Sequence, residues 1–181
     1  MLSTISRAAC ICALSWLALT MACDRRSPTG EARTSGPCQE VKSVEMRQID
    51  HAHVVYAGDR AGSKSMGPFA HANINHGHTL TLGKWGSDNY LLVSFEGSDK
   101  QGKLAEGTYD TVWAEGVFDG KKVAAGSPDG KATTPGGPLK VELTSWSNEK
   151  RAGTGVICGE FTHDAAGAPL ASPIVVGARF K

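Results

Sequence analysis

Read as a pattern of apolar and polar positions, the chain changes character twice. Ala8 to Ala22 is an uncharged, mostly apolar run preceded by a single basic residue, Arg7. Residues 24–37 (DRRSPTGEARTSGP) then contain no apolar residue larger than Ala outside their prolines. From residue 38 onward, apolar residues recur every second position. Leu91, Val93 and Phe95 share one face, as do Tyr109, Thr111 and Trp113. Leu139, Val141 and Leu143 alternate with Lys140, Glu142 and Thr144, and Ile174, Val176, Ala178 and Phe180 close the chain in the same way. Side chains in a strand alternate between its faces, so a period of two marks strands with one dry face. No stretch sustains the i, i+3, i+4, i+7 spacing of an amphipathic helix.

Strands are accordingly predicted near 41–48, 51–57, 68–75, 78–85, 90–96, 108–114, 116–119, 138–146, 153–161 and 173–180, with helix limited to a turn or two. Gly-Ser, Asp-Gly, Pro-Gly-Gly and Gly-Pro punctuate them, with one Gly/Pro-rich loop from Gly126 to Pro138. Ser147 to Ala152 reads as the exposed tip of a hairpin whose arms carry Val141 and Ile157. Many short strands with short connections predict a single all-β domain over 38–181, an antiparallel β-sandwich or, as the alternative, a small β-barrel.

The first segment has the basic and apolar regions of a secretory signal, and it is shorter than the roughly 20 apolar residues that a spanning helix needs. Its end, Leu19-Thr20-Met21-Ala22-Cys23, resembles the lipobox of bacterial lipoproteins, in which a small residue precedes an obligatory cysteine. Thr20 departs from the pattern, which most often has Leu there. The resemblance implies that 1–22 is a signal peptide, that Cys23 is lipidated and holds the protein on a membrane, and that the domain lies in the bacterial cell envelope. In enteric lipoproteins an Asp after the lipidated Cys, as at Asp24, resembles an inner-membrane retention signal. An ordinary secretory signal cut near Ala22, leaving Cys23 a plain thiol, is the alternative. The polar stretch behind Cys23 cannot bury enough surface to fold and reads as a tether.

Cysteine use follows from that resemblance. Cys10 and Cys12 leave with the signal and Cys23 takes lipid, so Cys38 and Cys158 remain in an oxidising compartment and are expected to pair. The alternative is a buried free Cys158 beside an unpaired Cys38. The second half also resembles small β-sandwich lipoprotein domains of bacterial envelopes. The shared pattern is Gly107-Thr108-Tyr109, a Gly-Gly-Pro loop, Leu139 to Leu143, Val156 to Phe161, and a last Gly177-to-Phe180 strand. That resemblance implies architecture and no chemistry.

Charge changes the picture only by exclusion. The chain carries 19 Lys+Arg against 18 Asp+Glu, and loss of Arg7 with the signal balances them. No basic surface for nucleic acid is implied.

Histidine is the one cluster with chemistry. His51 and His53 share a strand face, and His71, His76 and His78 follow within one hairpin's length. If the strands were adjacent, these imidazoles would suit Zn or Cu, whereas Asn75-His76-Gly77-His78 read as a turn would splay them. Catalytic motifs fail on context. Ser147-x-x-Lys150 lies on a polar hairpin tip, and Gly153-Thr154-Gly155 lacks the helix that a phosphate loop needs. Trp85, Trp113 and Trp146 read as core or sheet-face residues. The expected function is therefore that of a non-enzymatic envelope lipoprotein meeting a partner protein. A Zn- or Cu-binding lipoprotein and a barrel carrying a small apolar ligand are the alternatives, and no cofactor is otherwise expected.

Overall fold

In the computed structural model, residues 35–74, 77–97, 102–126 and 139–181 are described. The expected signal peptide, Cys23, His76 and most of the tether and of the Gly/Pro-rich loop lie outside them. Ten strands form one antiparallel sheet: β1 Ala52–Ala57, β2 Gly62–Met66, β3 Ala70–Ile74, β4 Gly77–Leu82, β5 Tyr90–Glu96, β6 Gly107–Phe118, β7 Lys121–Gly126, β8 Lys140–Ser147, β9 Ala152–His163 and β10 Pro169–Phe180. The order is β2-β1-β10-β9-β8-β6-β5-β4-β3, with β7 also on β6. The expected all-β single domain is therefore present. Among the described residues β2 and β3 each pair with one neighbour only, so the sheet is not closed and the barrel alternative is set aside.

The sheet folds over at β6, the strand common to both halves. Gly107–Asp110 pair with β8, whereas Thr111–Val117 pair with β5 and Trp113–Phe118 with β7. Between the two parts the register slips: Phe95 faces Thr111 and Ser94 faces Trp113, leaving Val112 as the extra residue of a bulge, 46% exposed. A bulge bends and twists its strand, which suits a corner. It also inverts the alternation beyond it. Tyr109 packs on the central core while Trp113 belongs to an outer-face cluster, so the shared face expected for Tyr109, Thr111 and Trp113 is corrected.

Elsewhere the alternation holds. Leu91, Val93 and Phe95 join Leu139, Val141, Leu143, Ile174, Val176, Ala178 and Phe180 in a single core. Rings from the two halves meet there: Tyr56 on Phe118 with centroids 4.9 Å apart, and Phe69 on Phe180 at 5.2 Å. The segments expected at 108–114 and 116–119 are one continuous strand. β2 and β7 were not foreseen, because GSKSM is polar except for its buried Met66 and KKVAAG is short. Asp119 and Gly120, both with φ > 0 (49° and 77°), make the two-residue turn that joins β6 to β7, matching the right-handed strand twist. The β8–β9 hairpin pairs Ser147 with Ala152, so its tip falls where the sequence placed it.

The strand expected at 41–48 does not form. An α-helix, α1, spans Ser35–Ser43, and a 3-10 turn follows at Met46–Gln48. Pro37 sits in the first turn, where its fixed φ and missing N–H are tolerated. Val41 is fully buried on the sheet's outer face against Val55 and Val156. Gly177 makes this approach fit: a Cβ there would lie 2.3 Å from the Pro37 carbonyl oxygen. Arg179 finishes the helix, its Nη1 donating to the carbonyls of Lys42 (2.7 Å) and Val44 (2.6 Å), which carry the negative end of the dipole. Lys42 pairs with Glu142 at 2.8 Å. Cys38 and Cys158 form a disulfide, with Cα atoms 5.6 Å apart. The described fold thus includes residues 35–37, inside the segment expected to be tether. Among the described residues no helix is long and apolar enough to cross a membrane.

Candidate functional site

The histidines separate into two places. β1 alternates Ala52, Val54 and Tyr56 into the core, so His53, opposite Arg179 and Ser65, faces outward. His51 precedes the strand and is exposed, its carbonyl accepting the Lys181 N–H at 2.9 Å. His71 and His78 sit on the other half-sheet, in the β3–β4 hairpin, on its inner side. In β4 the alternation that buries Leu80 and Leu82 also buries His78, which is 1% exposed. Among the described residues no three His, Cys, Asp or Glu side chains are grouped to hold a metal ion. Of the five histidines expected to converge, the structure brings together His71 and His78 and places His51 and His53 elsewhere, while His76 lies outside the described residues.

That pair is closely built. His71 Nε2 and His78 Nδ1 are 2.8 Å apart in a hydrogen bond, with rings stacked at 5.1 Å. Trp146 meets the His71 ring edge-on at 4.9 Å, and Phe95 lies beside His78 at 5.9 Å. Asn73, directly across from His78, donates its side-chain N–H to the Gly102 carbonyl at 3.2 Å. Burial, then the His78 and Arg151 charges, lower the His71 pKa to about 4. The ring is neutral at neutral pH.

A second feature lies on the outer face of β4–β7. Tyr90, Leu92 and Val117 cluster there with Trp113 packed against them. A chain of polar contacts crosses this face. The Tyr90 hydroxyl, with the Trp85 indole nearby, donates to the Glu115 carboxylate, and Glu115 pairs with Lys122 at 3.1 Å. Burial first, and then Glu115, raise the Tyr90 pKa, which keeps the hydroxyl a donor. The Trp85 ring beside this chain is 70% exposed. Sequence reading grouped Trp85 with core or sheet-face residues. The structure places it on the β4–β5 connection, Trp113 on the sheet face and Trp146 at the core edge.

Three further arrangements are structural. The Tyr56 hydroxyl donates to Asp119 at 2.6 Å, and Lys64 pairs with the same carboxylate at 3.0 Å, tying β1 and β2 to the β6–β7 turn. Burial and then Asp119 push the Tyr56 pKa up to about 12; its hydrogen bond and then Lys64 hold the Asp119 carboxyl down. The residues are 63 positions apart, so no motif announced them. Ser147 accepts the Lys150 backbone N–H at 3.3 Å, a turn cap at the hairpin tip. Gly153 and Gly155 sit in β9 where a Cβ would strike the Ser145 and Glu142 carbonyls.

Fold and site together define a single-domain all-β protein with a helix stapled across one outer face and an aromatic cluster on the other. No family model matches the chain, and neither the curated proteins nor the solved structures yield a significant match.

Proposed function

We propose that the chain is an exported lipoprotein, held on a membrane of the bacterial envelope by lipid on Cys23, whose sandwich is a non-enzymatic module for binding an envelope protein. The observation that carries the interaction reading is the exposed Trp85 together with the Tyr90–Leu92–Trp113–Val117 cluster. Aromatic side chains with little conformational freedom to lose are the usual anchors of protein interfaces. The outer face of the other half is already occupied by α1, which leaves this face for a partner. Anchoring rests on the lipobox residues, since two or three acyl chains give stable attachment.

The alternatives have less support. Two imidazoles hydrogen-bonded at 2.8 Å leave no room for an ion between them, given Zn–N distances of about 2.0–2.1 Å on each side. A carrier of an apolar ligand would need the space that Phe95, Phe118, Phe161 and Phe180 fill.

A photo-cross-linking residue at position 85, and another at position 150 on the hairpin tip, test the interface in the living cell. One stoichiometric adduct from position 85 and none from 150 is expected. No adduct at 85, or equal labelling at both, would overturn the reading. In the same cells Cys23→Ser should move the protein out of the membrane fraction.

A further inference from the structure

α1 is fastened to the sheet by different means at its two ends. Its C-terminal end is bound by Arg179, whose Nη1 donates to the Lys42 and Val44 carbonyls, and by the Lys42–Glu142 pair. Beyond it the chain stays attached: Lys181 Nζ donates to the Met46 carbonyl at 3.0 Å, and Ile49 is buried. Among the described contacts, the first turn meets the sheet through Pro37, resting on the bare backbone of Gly177, and through the Cys38–Cys158 bridge. Along one flank of that turn runs a cleft of about 460 Å³, with Gly36, Pro37 and Glu40 on the helix side and Val55, Ala57 and Ser63 on the strand side. The start of α1 is thus packed from below and open along this flank.

A helix of nine residues does not hold itself together in water, because its first turn fixes several residues for a single hydrogen bond. α1 persists by what it touches. Closing a loop of roughly eight residues, about the span from Cys38 to the 3-10 turn, favours the closed state on the order of 50-fold. That factor is what the bridge adds to the docking of α1 while the sheet is folded. The sheet does not need it for its own pairing, since β9 and β10 each have neighbours on both edges.

We propose that the Cys38–Cys158 disulfide is a redox latch on α1: oxidised, it holds the helix wall of the cleft in place, and reduction by a protein dithiol lets the N-terminal half of α1 swing away while the sheet stays paired. Both cysteines are half-buried rather than enclosed, so a thiolate can approach them. The thiolate attacks Cys38 Sγ, the S–S bond breaks, and Cys158 leaves as a thiolate and takes a proton. The second thiol of the reductant then attacks the reductant's sulfur in the mixed disulfide, and the Cys38 thiolate departs and is protonated. Two electrons and two protons pass to the bridge, and the reductant ends as a disulfide. Cys158 stays on β9 and Cys38 leaves with the helix. The strip uncovered is apolar, Val55 and Val156 with the bare Gly177 beside them. The latch is independent of the Trp85 face, which belongs to the other half-sheet.

Native-state hydrogen exchange of the full chain, oxidised and after dithiothreitol without denaturant, tests the latch, with thiols counted by alkylation and mass. Reduction should yield two further thiols per chain and quicken exchange at 39–43 on the order of 50-fold, with β9 and β10 changing little. Cys38→Ser/Cys158→Ser should show the fast exchange with or without dithiothreitol. A bridge that the folded protein keeps in dithiothreitol, a reduced α1 that exchanges as slowly as the oxidised one, or equal loosening of β9 and β10 would each overturn the proposal. Should the double variant fail to fold, the reduced wild type decides, since its α1 must loosen ahead of the sheet.

Discussion

The helix on the sheet can be tested at one atom. Gly177 lies between Val55 and Cys158 in register, beneath the first turn of α1. A Cβ at this position would meet the Pro37 carbonyl oxygen at 2.3 Å, the Pro37 carbon at 2.5 Å and the Cys38 nitrogen at 2.8 Å. All three are backbone atoms, so no side chain can swing aside and Gly177→Ala must lift the helix. Lifting re-exposes part of Val41, whose full burial is worth about 1.5–3 kcal/mol. It also lengthens the Arg179 bonds to Lys42 and Val44, charge-assisted but partly exposed, at about 1 kcal/mol or more. Against this, Ala narrows the unfolded ensemble by about 0.4–1 kcal/mol. The net expectation is a loss of about 2–3 kcal/mol. At roughly 3–4 °C per kcal/mol for a domain of this size, Tm falls by about 6–12 °C. Urea unfolding with the slope m unchanged would show that the native state, not the transition, has changed. Gly36→Ala is the control, since nothing lies within 4 Å of its Cβ, and it should leave stability unchanged or raise it slightly. A Gly177→Ala protein within 0.5 kcal/mol of wild type would mean that α1 does not press on the strand.

Other expectations follow from features set out above. Reducing the Cys38–Cys158 bridge, or Cys158→Ser, reopens a loop of 120 residues and should lower stability by up to about 4.7 kcal/mol; equal urea midpoints with and without reductant would refute it. Tyr56→Phe should destabilise by about 1 kcal/mol by deleting the bond to Asp119. Because the Tyr56 pKa is raised, its contribution is complete below about pH 10 and is lost as pH climbs through about 12, so ultraviolet titration of wild type minus variant should show one late tyrosine. Trp85→Ala should leave the unfolding midpoint within about 0.5 kcal/mol while reducing cross-linking to the partner. A large loss of stability there would make Trp85 a structural residue instead.

How much of this was legible beforehand depended on the range over which each signal acts. Alternation is local, so the inner faces of β5, β8 and β10 could be read residue by residue. The bulge at Val112 is set by which strands meet at β6, and an alternation count running through it put Trp113 on the wrong side. β2 escaped because an edge strand with only Met66 buried shows no period. α1 escaped because its stability comes from Gly177, Arg179 and Cys158, all more than 100 residues away, and only Pro37 hinted at a helix start. The histidines were flagged by composition, but strand order decides convergence: His53 and His71 fall on different halves and on opposite sides of the sheet. Trp85 stands out only beside the outer-face cluster of Tyr90, Leu92, Trp113 and Val117, spread over two strands, which no local pattern displays.

The staple at Cys38 also determines how the domain responds to a pull. A pull applied at Ser35 reaches Cys38 within the first turn of α1. From there a covalent bond delivers it to β9, a strand with neighbours on both edges. The load is therefore shared across β8, β9 and β10 as shear along many backbone hydrogen bonds, and α1 is not peeled away turn by turn. Without the bridge, the same pull would reach the sheet through non-covalent contacts of α1, among them Val41, the Lys42–Glu142 pair and the bonds from Arg179. A protein hung from a moving surface by its N-terminal arm would gain from having its suspension point cross-linked to the middle of its sheet.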